Sequence, residues 1–217
     1  MKSCRRRVRV HSTRGGACEE AVPVAAAVAL VSVVAAGAAT GQPATPTCFG
    51  EPATIVATGP GPIYGTEGPD VIVGTPGNDT IYGLGGDDLI CGGPGDDAIF
   101  GENGADTIDA GAGNDFATGN AGDDSVSGST GDDELFGGFG HDLVKGEDGN
   151  DLLVGNFGND ALLGGKGDDL LEGDITGDVG PAPDPNPSHD VCHGRQGSDA
   201  SYGCEQANQI ETVLPFP

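Results

Sequence analysis

Aspartate recurs at every ninth position through the middle of the chain, and these carboxylates are the residues best suited to chemistry. Twelve consecutive nine-residue repeats, from Gly65 to Glu172, each carry aspartate at the sixth position. The series is Asp70, Asp79, Asp88, Asp97, Asp106, Asp115, Asp124, Asp133, Asp142, Asp151, Asp160 and Asp169. A metal-free solenoid or a disordered tract would let other turn formers replace aspartate here, as Asn and Asp exchange at the fifth position. The constant aspartate therefore indicates that the negative charge itself is needed.

The residues around each aspartate supply further oxygen ligands. Glycine fills the fourth position of all twelve repeats and the first position of eleven, with Ala110 as the exception. Glycine permits the positive φ values of tight turns and leaves backbone carbonyl oxygens accessible. Calcium binds about six to eight oxygens in flexible geometry, whereas the thiolate and imidazole clusters preferred by softer metals are absent from the repeats. The turns therefore predict calcium sites.

Short strands must position these turns. The eighth position is aliphatic in every repeat and is flanked by residues that alternate outward, which predicts a three-residue strand and a thin inner ladder. The ladder consists of Ile72, Ile81, Ile90, Ile99, Ile108, Ala117, Val126, Leu135, Val144, Leu153, Leu162 and Leu171. With 41 Gly, no Trp and 5% aromatic residues, the chain has little material for any larger core.

The charge of the chain selects its partners. Its formal net charge is −25, and most of its few basic residues lie in the first twenty positions. So acidic a chain repels nucleic acid and anionic lipid and attracts cations. We therefore expect calcium ions as partners, no nucleic acid, and no membrane association once the leader is removed.

The N-terminal residues predict export. A basic start is followed by an apolar run from Ala21 to Ala39 and then by a polar stretch, which is typical of a signal peptide over residues 1–39. An uncleaved membrane anchor is the alternative, because the run is nearly long enough to span a bilayer. Arg5 and Arg6 leave the twin-arginine route open beside the general secretory route. Each reading places the remaining chain outside the cytoplasm, as a secreted or extracellular protein.

The repeat frame divides the rest of the chain. Residues 40–64 form a lead-in with a degenerate first repeat, and residues 65–172 form the twelve-repeat array. Residues 173–205 hold interrupted terminal repeats, because a thirteenth repeat opened by Gly173 resumes only at Asp190 after twelve inserted residues. The following repeat places Ser201 at the aliphatic position. Residues 206–217 are assigned to a C-terminal tail.

Two repeats carry the complete form of a known calcium-binding nonapeptide, G-G-x-G-x-D-x-U-x, in which U is a large apolar residue. They are Gly92 to Phe100 (GGPGDDAIF) and Gly164 to Glu172 (GGKGDDLLE). The chain thereby resembles the repeats-in-toxin, or hemolysin-type calcium-binding, family. The resemblance implies an all-β parallel β-roll with two nine-residue repeats per coil. It also implies about ten calcium ions, each held between turns i and i+2 on one edge of the roll.

Four cysteines outside the leader predict two disulfides. Pairing Cys192 with Cys204 would close the last coil, and pairing Cys48 with Cys91 would tie the lead-in to the third repeat. Each local loop would add about 3 kcal/mol to a domain with little core. A zinc site formed by Cys192 and Cys204 with His189 and His193 is the alternative, although an even cysteine count in an exported chain favours disulfides.

The sequence favours a binding protein over an enzyme. It contains neither H-E-x-x-H nor G-x-S-x-G, the motifs of metalloproteases and of lipases. We therefore expect a secreted calcium-binding protein without catalytic activity, and the alternative is a cell-surface or matrix module that uses the calcium-loaded roll as a scaffold.

One face of the array suggests how such a scaffold could bind. The outward residues of the even-numbered repeats are mostly large and apolar, which is typical of a surface for self-association or for a cell-surface partner. The alternative is that these residues only shield the short strands. Phe139 and Phe157, eighteen residues apart in the turns, are expected to stack on one edge and extend this face.

Overall fold

Alternate repeats build two parallel β-sheets that together form one roll. The computed structural model describes residues 44–59, 61–174, 191–194, 200–202, 204, 206–208 and 212–213. Its strands are β1 (Thr47–Cys48), β2 (Glu51–Pro52), β3 (Ile55–Val56), β4 (Ile63–Tyr64), β5 (Val71–Val73), β6 (Thr80–Gly85), β7 (Leu89–Pro94), β8 (Ala98–Asn103), β9 (Thr107–Ala112), β10 (Phe116–Ala121), β11 (Ser125–Thr130), β12 (Glu134–Phe139), β13 (Leu143–Asp148), β14 (Leu152–Phe157), β15 (Ala161–Lys166), β16 (Leu170–Asp174), β17 (Val191–His193), β18 (Ala200–Tyr202), β19 (Gln206–Asn208) and β20 (Thr212–Val213).

Neighbouring strands in each sheet come from repeats two apart in the sequence. One sheet contains the odd-numbered strands from β3 to β19, and the other contains the even-numbered strands from β4 to β20. In the even sheet, Ala117 of β10 lies between Ile99 of β8 and Leu135 of β12. Each coil therefore uses eighteen residues, and the predicted parallel β-roll with two repeats per coil is confirmed.

The aliphatic eighth-position residues form the core. All twelve are at most 1% exposed and pack as a ladder between the two sheets. The ladder is one residue wide, so it stabilises each coil by only the burial of one side chain per repeat, about 1.5–3 kcal/mol for a full-sized aliphatic. Ser201 continues this ladder, opposite Leu171, and its buried hydroxyl has no hydrogen-bond partner.

The strands are longer than the three residues predicted from the sequence. From β6 onward most of them have six residues, because the second and third positions of the following repeat also pair. Asn120 pairs with Gly138 and Ala121 pairs with Phe139, while Gly119, at the first position, is skipped. The first-position glycine is therefore a break inside each strand, and the turn itself is short.

The inserted residues after Gly173 do not change the register. Cys192 pairs with Leu162 and Ser201 pairs with Leu171, so the interrupted repeat re-enters the sheets in its expected frame. Two further strands, β19 and β20, extend the sheets beyond Cys204. The sequence frame did not predict them, because their spacing from the preceding strands is shorter than one coil.

Both predicted disulfides are present. Cys48 is bonded to Cys91, which fixes the antiparallel pair β1 and β2 against β7. Cys192 is bonded to Cys204, and this pairing excludes the alternative zinc site. Within the described residues no helix is long and apolar enough to cross a bilayer. The predicted leader, residues 1–39, and His189 lie outside the described residues.

Aromatic rings form a column on the outside of the even sheet. Tyr82 stacks on Tyr64 at 5.1 Å and on Phe100 at 4.9 Å, with the ring planes within about 10° of parallel. Phe116 then continues the column in tilted contacts with Phe100 and Phe136. Stacked and tilted aromatic pairs of this kind contribute about 0.5–1.5 kcal/mol beyond their burial. The column therefore stabilises the stacking of coils.

A second stack lies at the edge of the same sheet. Phe139 and Phe157 are 4.8 Å apart with an interplanar angle of 4°, which confirms the predicted pair. They are 62% and 51% exposed, and they border an open groove of about 550 Å³ that Phe116 lines from the other side.

Because the coils stack closely, we expect a glycine-to-alanine substitution to lower the free energy of unfolding by different amounts in two neighbouring coils. Gly95 has φ 134°, and an added Cβ would lie 2.6 Å from the carbonyl carbon of Gly77 in the coil before it. Gly77 makes no such contact with the coil before it, and the nearest neighbour to an added Cβ is Thr75 Oγ1 at 3.9 Å. We expect Gly95→Ala to lower the free energy of unfolding by about 2–3 kcal/mol and Gly77→Ala to change it by less than about 0.5 kcal/mol.

Denaturant unfolding in calcium-containing buffer measures the free energy of unfolding of both variants. Equal costs for the two variants would contradict the described contact between coils.

Candidate metal centre

The twelve aspartates lie in the turns at the two edges of the roll. Six follow one another along one edge at a spacing of eighteen residues, and six follow along the other. Eleven of the twelve are buried, and Asp79 is half-buried. Burial of so many carboxylates along two lines is costly unless each oxygen is satisfied.

One oxygen of the interior carboxylates is held by the backbone. The amide of Asp70 donates to Oδ1 of Asp88 at 2.8 Å, and the amide of Asp88 donates to Oδ1 of Asp106 at 2.9 Å. The same bond joins every pair of series members eighteen residues apart, on both edges, at 2.7–3.0 Å. These bonds fix the orientation of each carboxylate and bring together the partners that the sequence predicted.

The other oxygen of the interior carboxylates is buried without a hydrogen-bond donor. This holds for Oδ2 of Asp88, Asp97, Asp106, Asp115, Asp124, Asp133, Asp142 and Asp151. An unsatisfied buried polar atom costs about 1–3 kcal/mol, and more when it is charged. A repeated defect of this kind indicates that another group satisfies these oxygens in the folded protein.

Backbone oxygens face the same spaces. A Cβ added to Gly83 would lie 2.6 Å from Oδ2 of Asp88 and 2.5 Å from the carbonyl oxygen of Gly101 in the next coil. An added Cβ on Gly101 would likewise meet Oδ2 of Asp106 and the carbonyl oxygen of Gly119. Glycine at the first position therefore leaves a space bounded by a carboxylate and a carbonyl oxygen. These oxygen ligands fit calcium and would not suit a metal that prefers sulfur or nitrogen.

Burial makes the aspartates unusually weak acids in the absence of a cation. It raises the pKa of Asp88, Asp133 and Asp142 to about 7 and the pKa of Asp97 and Asp124 to about 6. The hydrogen bond from the preceding aspartate's amide lowers each pKa in part, while neighbouring carboxylates raise it further. The sites are therefore built so that the charged form needs a compensating positive charge.

The fifth position forms a second ladder that the sequence reasoning missed. The amide of Asp96 donates to Oδ1 of Asn78 at 3.1 Å, and the amide of Asn114 donates to Oδ1 of Asp96 at 3.0 Å. These bonds point from each coil to the preceding one, opposite to the bonds of the sixth position. His141 belongs to the same ladder, because its Nδ1 accepts a hydrogen bond from the amide of Asn159 at 3.0 Å.

The fifth position therefore requires an acceptor side chain in most repeats. The sequence did contain a signal for this ladder, because few fifth-position residues lack a side chain that can accept a hydrogen bond.

The fold and these turns define a parallel β-roll with a repeated, oxygen-lined candidate cation site along each edge. The family model for the RTX calcium-binding nonapeptide repeat (4 copies) matches residues 64–99, 92–117, 109–144, 118–153 and 145–179. These matches together cover more than half of the chain, and the protein belongs to this family. The family resemblance inferred from the repeat is confirmed. A comparison with curated proteins found no match.

The raised pKa values predict that the calcium-free roll is stabilised by acid. An aspartate whose pKa is raised from 3.8 to about 6–7 on folding binds a proton more tightly in the folded state. Its contribution is therefore fully present below pH about 4 and is lost as the pH rises through 6–7. In chelator, we expect β-structure measured by circular dichroism to increase between pH 8 and pH 5.

A matched pair of variants separates the buried sites from the general charge. Asp133→Asn removes a buried charge and should stabilise the calcium-free fold at pH 8, whereas Asp132→Asn removes an exposed charge and should have little effect. If the stability of the calcium-free protein stays constant or rises as the pH increases through 6–7, these carboxylates do not control that stability.

Proposed function

We propose that this protein is a secreted calcium-binding protein whose glycine- and aspartate-rich turns hold stacked calcium ions and fold on binding them outside the cytoplasm. The observation that carries the proposal is the row of buried Oδ2 atoms without donors, six of which lie beside a first-position glycine together with a backbone carbonyl oxygen of the next coil. Membership in the RTX calcium-binding repeat family supports the choice of calcium.

The residues of the chain prepare each site before the ion arrives. The amide of the preceding aspartate holds Oδ1, so that Oδ2 is directed into the turn. Because glycine at the first position has no side chain, Oδ2 and the carbonyl oxygen of the next coil border the same space. Bound calcium would supply the positive charge that offsets burial of the carboxylates.

Binding energy of ordinary size is sufficient to drive folding. With Kd of about 0.1 mM in about 2 mM calcium, one site contributes about 1.8 kcal/mol, as given by RT ln(1 + [L]/Kd). About ten such sites would contribute nearly 20 kcal/mol, which offsets much of the chain entropy. The same chain in the calcium-poor cytoplasm would remain unfolded and suited to export.

The location and the absence of catalysis are parts of the same proposal. The two disulfides are typical of proteins that fold in an oxidising compartment. The basic and apolar leader supports secretion. The lack of metalloprotease and lipase motifs supports a role in binding rather than catalysis.

A calcium titration followed by circular dichroism tests the proposal. We expect the chelated protein at pH 8 to lack most of its β signal and to gain it cooperatively on adding calcium. Asp133→Asn should lower the number of ions bound and the melting temperature in calcium. Asp132→Asn is the control, because its neighbours in the fifth-position ladder are already Asn114 and Asn150. Full β signal in chelator, or equal losses in both variants, would contradict calcium-coupled folding.

A second candidate function is that of a structural module that assembles with further copies of itself. The exposure of Phe139 and Phe157 beside the groove on the even sheet favours it. A surface of this kind is suited to burial against a second copy.

Sedimentation in calcium distinguishes the assembling form from a monomer. We expect the wild type to self-associate and Phe139→Asn with Phe157→Asn to remain monomeric. Asparagine is tolerated at this position of the same sheet, since Asn103 occupies it two coils before Phe139. A wild type that is monomeric at every accessible concentration would rule out self-association through this face.

A further inference from the structure

In the first two aspartates of the series, Oδ2 is satisfied without any cation. Oδ2 of Asp70 accepts hydrogen bonds from the amide and the hydroxyl of Thr66, at 2.7 and 2.8 Å. Oδ2 of Asp79 accepts the corresponding bonds from Thr75, at 2.6 and 3.0 Å. These threonines occupy the second position of their repeats. The oxygen that is buried without a donor in the interior coils is therefore fully bonded in the first coil.

The backbone changes conformation at the same place. In the ten repeats that follow, the second-position residue is in the left-handed region, with φ between 72° and 127°. It is left-handed even where it is not glycine, as in Leu84 at 79° and Glu102 at 79°. Thr66 and Thr75 are not among the residues with positive φ. In these two turns the second-position residue therefore donates hydrogen bonds to Oδ2 of the aspartate in the same repeat. In the later interior turns Oδ2 has no such donor.

The lead-in completes this arrangement. The hydroxyl of Thr54 donates to Oδ1 of Asp70 at 3.1 Å and accepts the amide of Val71 at 2.9 Å. The lead-in coil has no aspartate of the series, and Thr54 supplies its polar contact to the first coil. The Cys48–Cys91 disulfide then links the lead-in to the second coil of the array.

We propose that Thr54, Thr66 and Thr75 form a calcium-independent cap at the N-terminal end of the aspartate series. On this proposal Asp70 and Asp79 are structural residues and not calcium ligands, contrary to their assignment from the sequence. The capped coil is the template on which the calcium-dependent coils stack. The inference rests on the proposed calcium binding, because it defines where the calcium sites begin.

Hydrogen exchange of the full chain, read by mass spectrometry with and without calcium, tests the cap. In chelator we expect residues 54–82 to exchange at least tenfold more slowly than residues 101–172. Thr66→Val with Thr75→Val should abolish that difference, because valine keeps the shape and removes the hydroxyl. Thr66→Ser with Thr75→Ser should restore it. Thr107→Val with Thr130→Val, at two threonines outside the cap, is the control and should leave it unchanged.

Ion counting tests the assignment of ligands independently. Asp70→Asn with Asp79→Asn should bind as many calcium ions as the wild type, whereas Asp97→Asn with Asp106→Asn should bind fewer. A loss of bound ions in Asp70→Asn with Asp79→Asn would overturn the cap. Rapid exchange of residues 54–82 in chelator, together with calcium-dependent protection of the remaining coils, would also overturn it. Absence of calcium-dependent protection in residues 101–172 would instead contradict the proposed function.

Discussion

Buried negative charge is the constraint on which the rest of this structure depends. The core contributes one aliphatic side chain per repeat, and the fold also buries a carboxylate in eleven of the twelve repeats. Hydrogen bonds satisfy Oδ1 but not Oδ2 in the interior coils, as in Asp133. Desolvation therefore opposes folding at neutral pH unless a cation or a proton neutralises the turn. The same atoms therefore determine the stability of the roll and form its candidate cation sites.

Two sets of hydrogen bonds with opposite directions align the turns. Sixth-position carboxylates accept amides from the coil before them, and fifth-position side chains accept amides from the coil after them. Each turn is thus bonded to both of its neighbours through adjacent residues. This arrangement keeps successive turns in the same geometry.

The sequence predicted the features that depend on a single repeat. The aliphatic ladder followed from the spacing of the repeat, and the two-repeat coil followed from the resemblance to the RTX family. Both disulfides followed from the repeat frame and the even cysteine count. The backbone conformations and hydrogen bonds that depend on two stacked coils were not predicted. Leu84 and Glu102 adopt left-handed conformations against their own preference, and His141 accepts a bond from the following coil. The second-position threonine is visible in the sequence, but only the conformation of the turn shows that Thr66 satisfies Asp70, whereas Oδ2 of Asp88 has no donor.

The eighteen-residue coil also limits how such a chain can change its length during evolution. Loss of one nonapeptide would keep every aspartate in series but would move all later residues to the opposite sheet. Phe136 would then leave the column that begins at Tyr64. Loss of two nonapeptides, or an insertion confined to one turn such as that after Gly173, leaves each face intact. Descendants of this array that retain its aromatic face should therefore differ from it by even numbers of repeats.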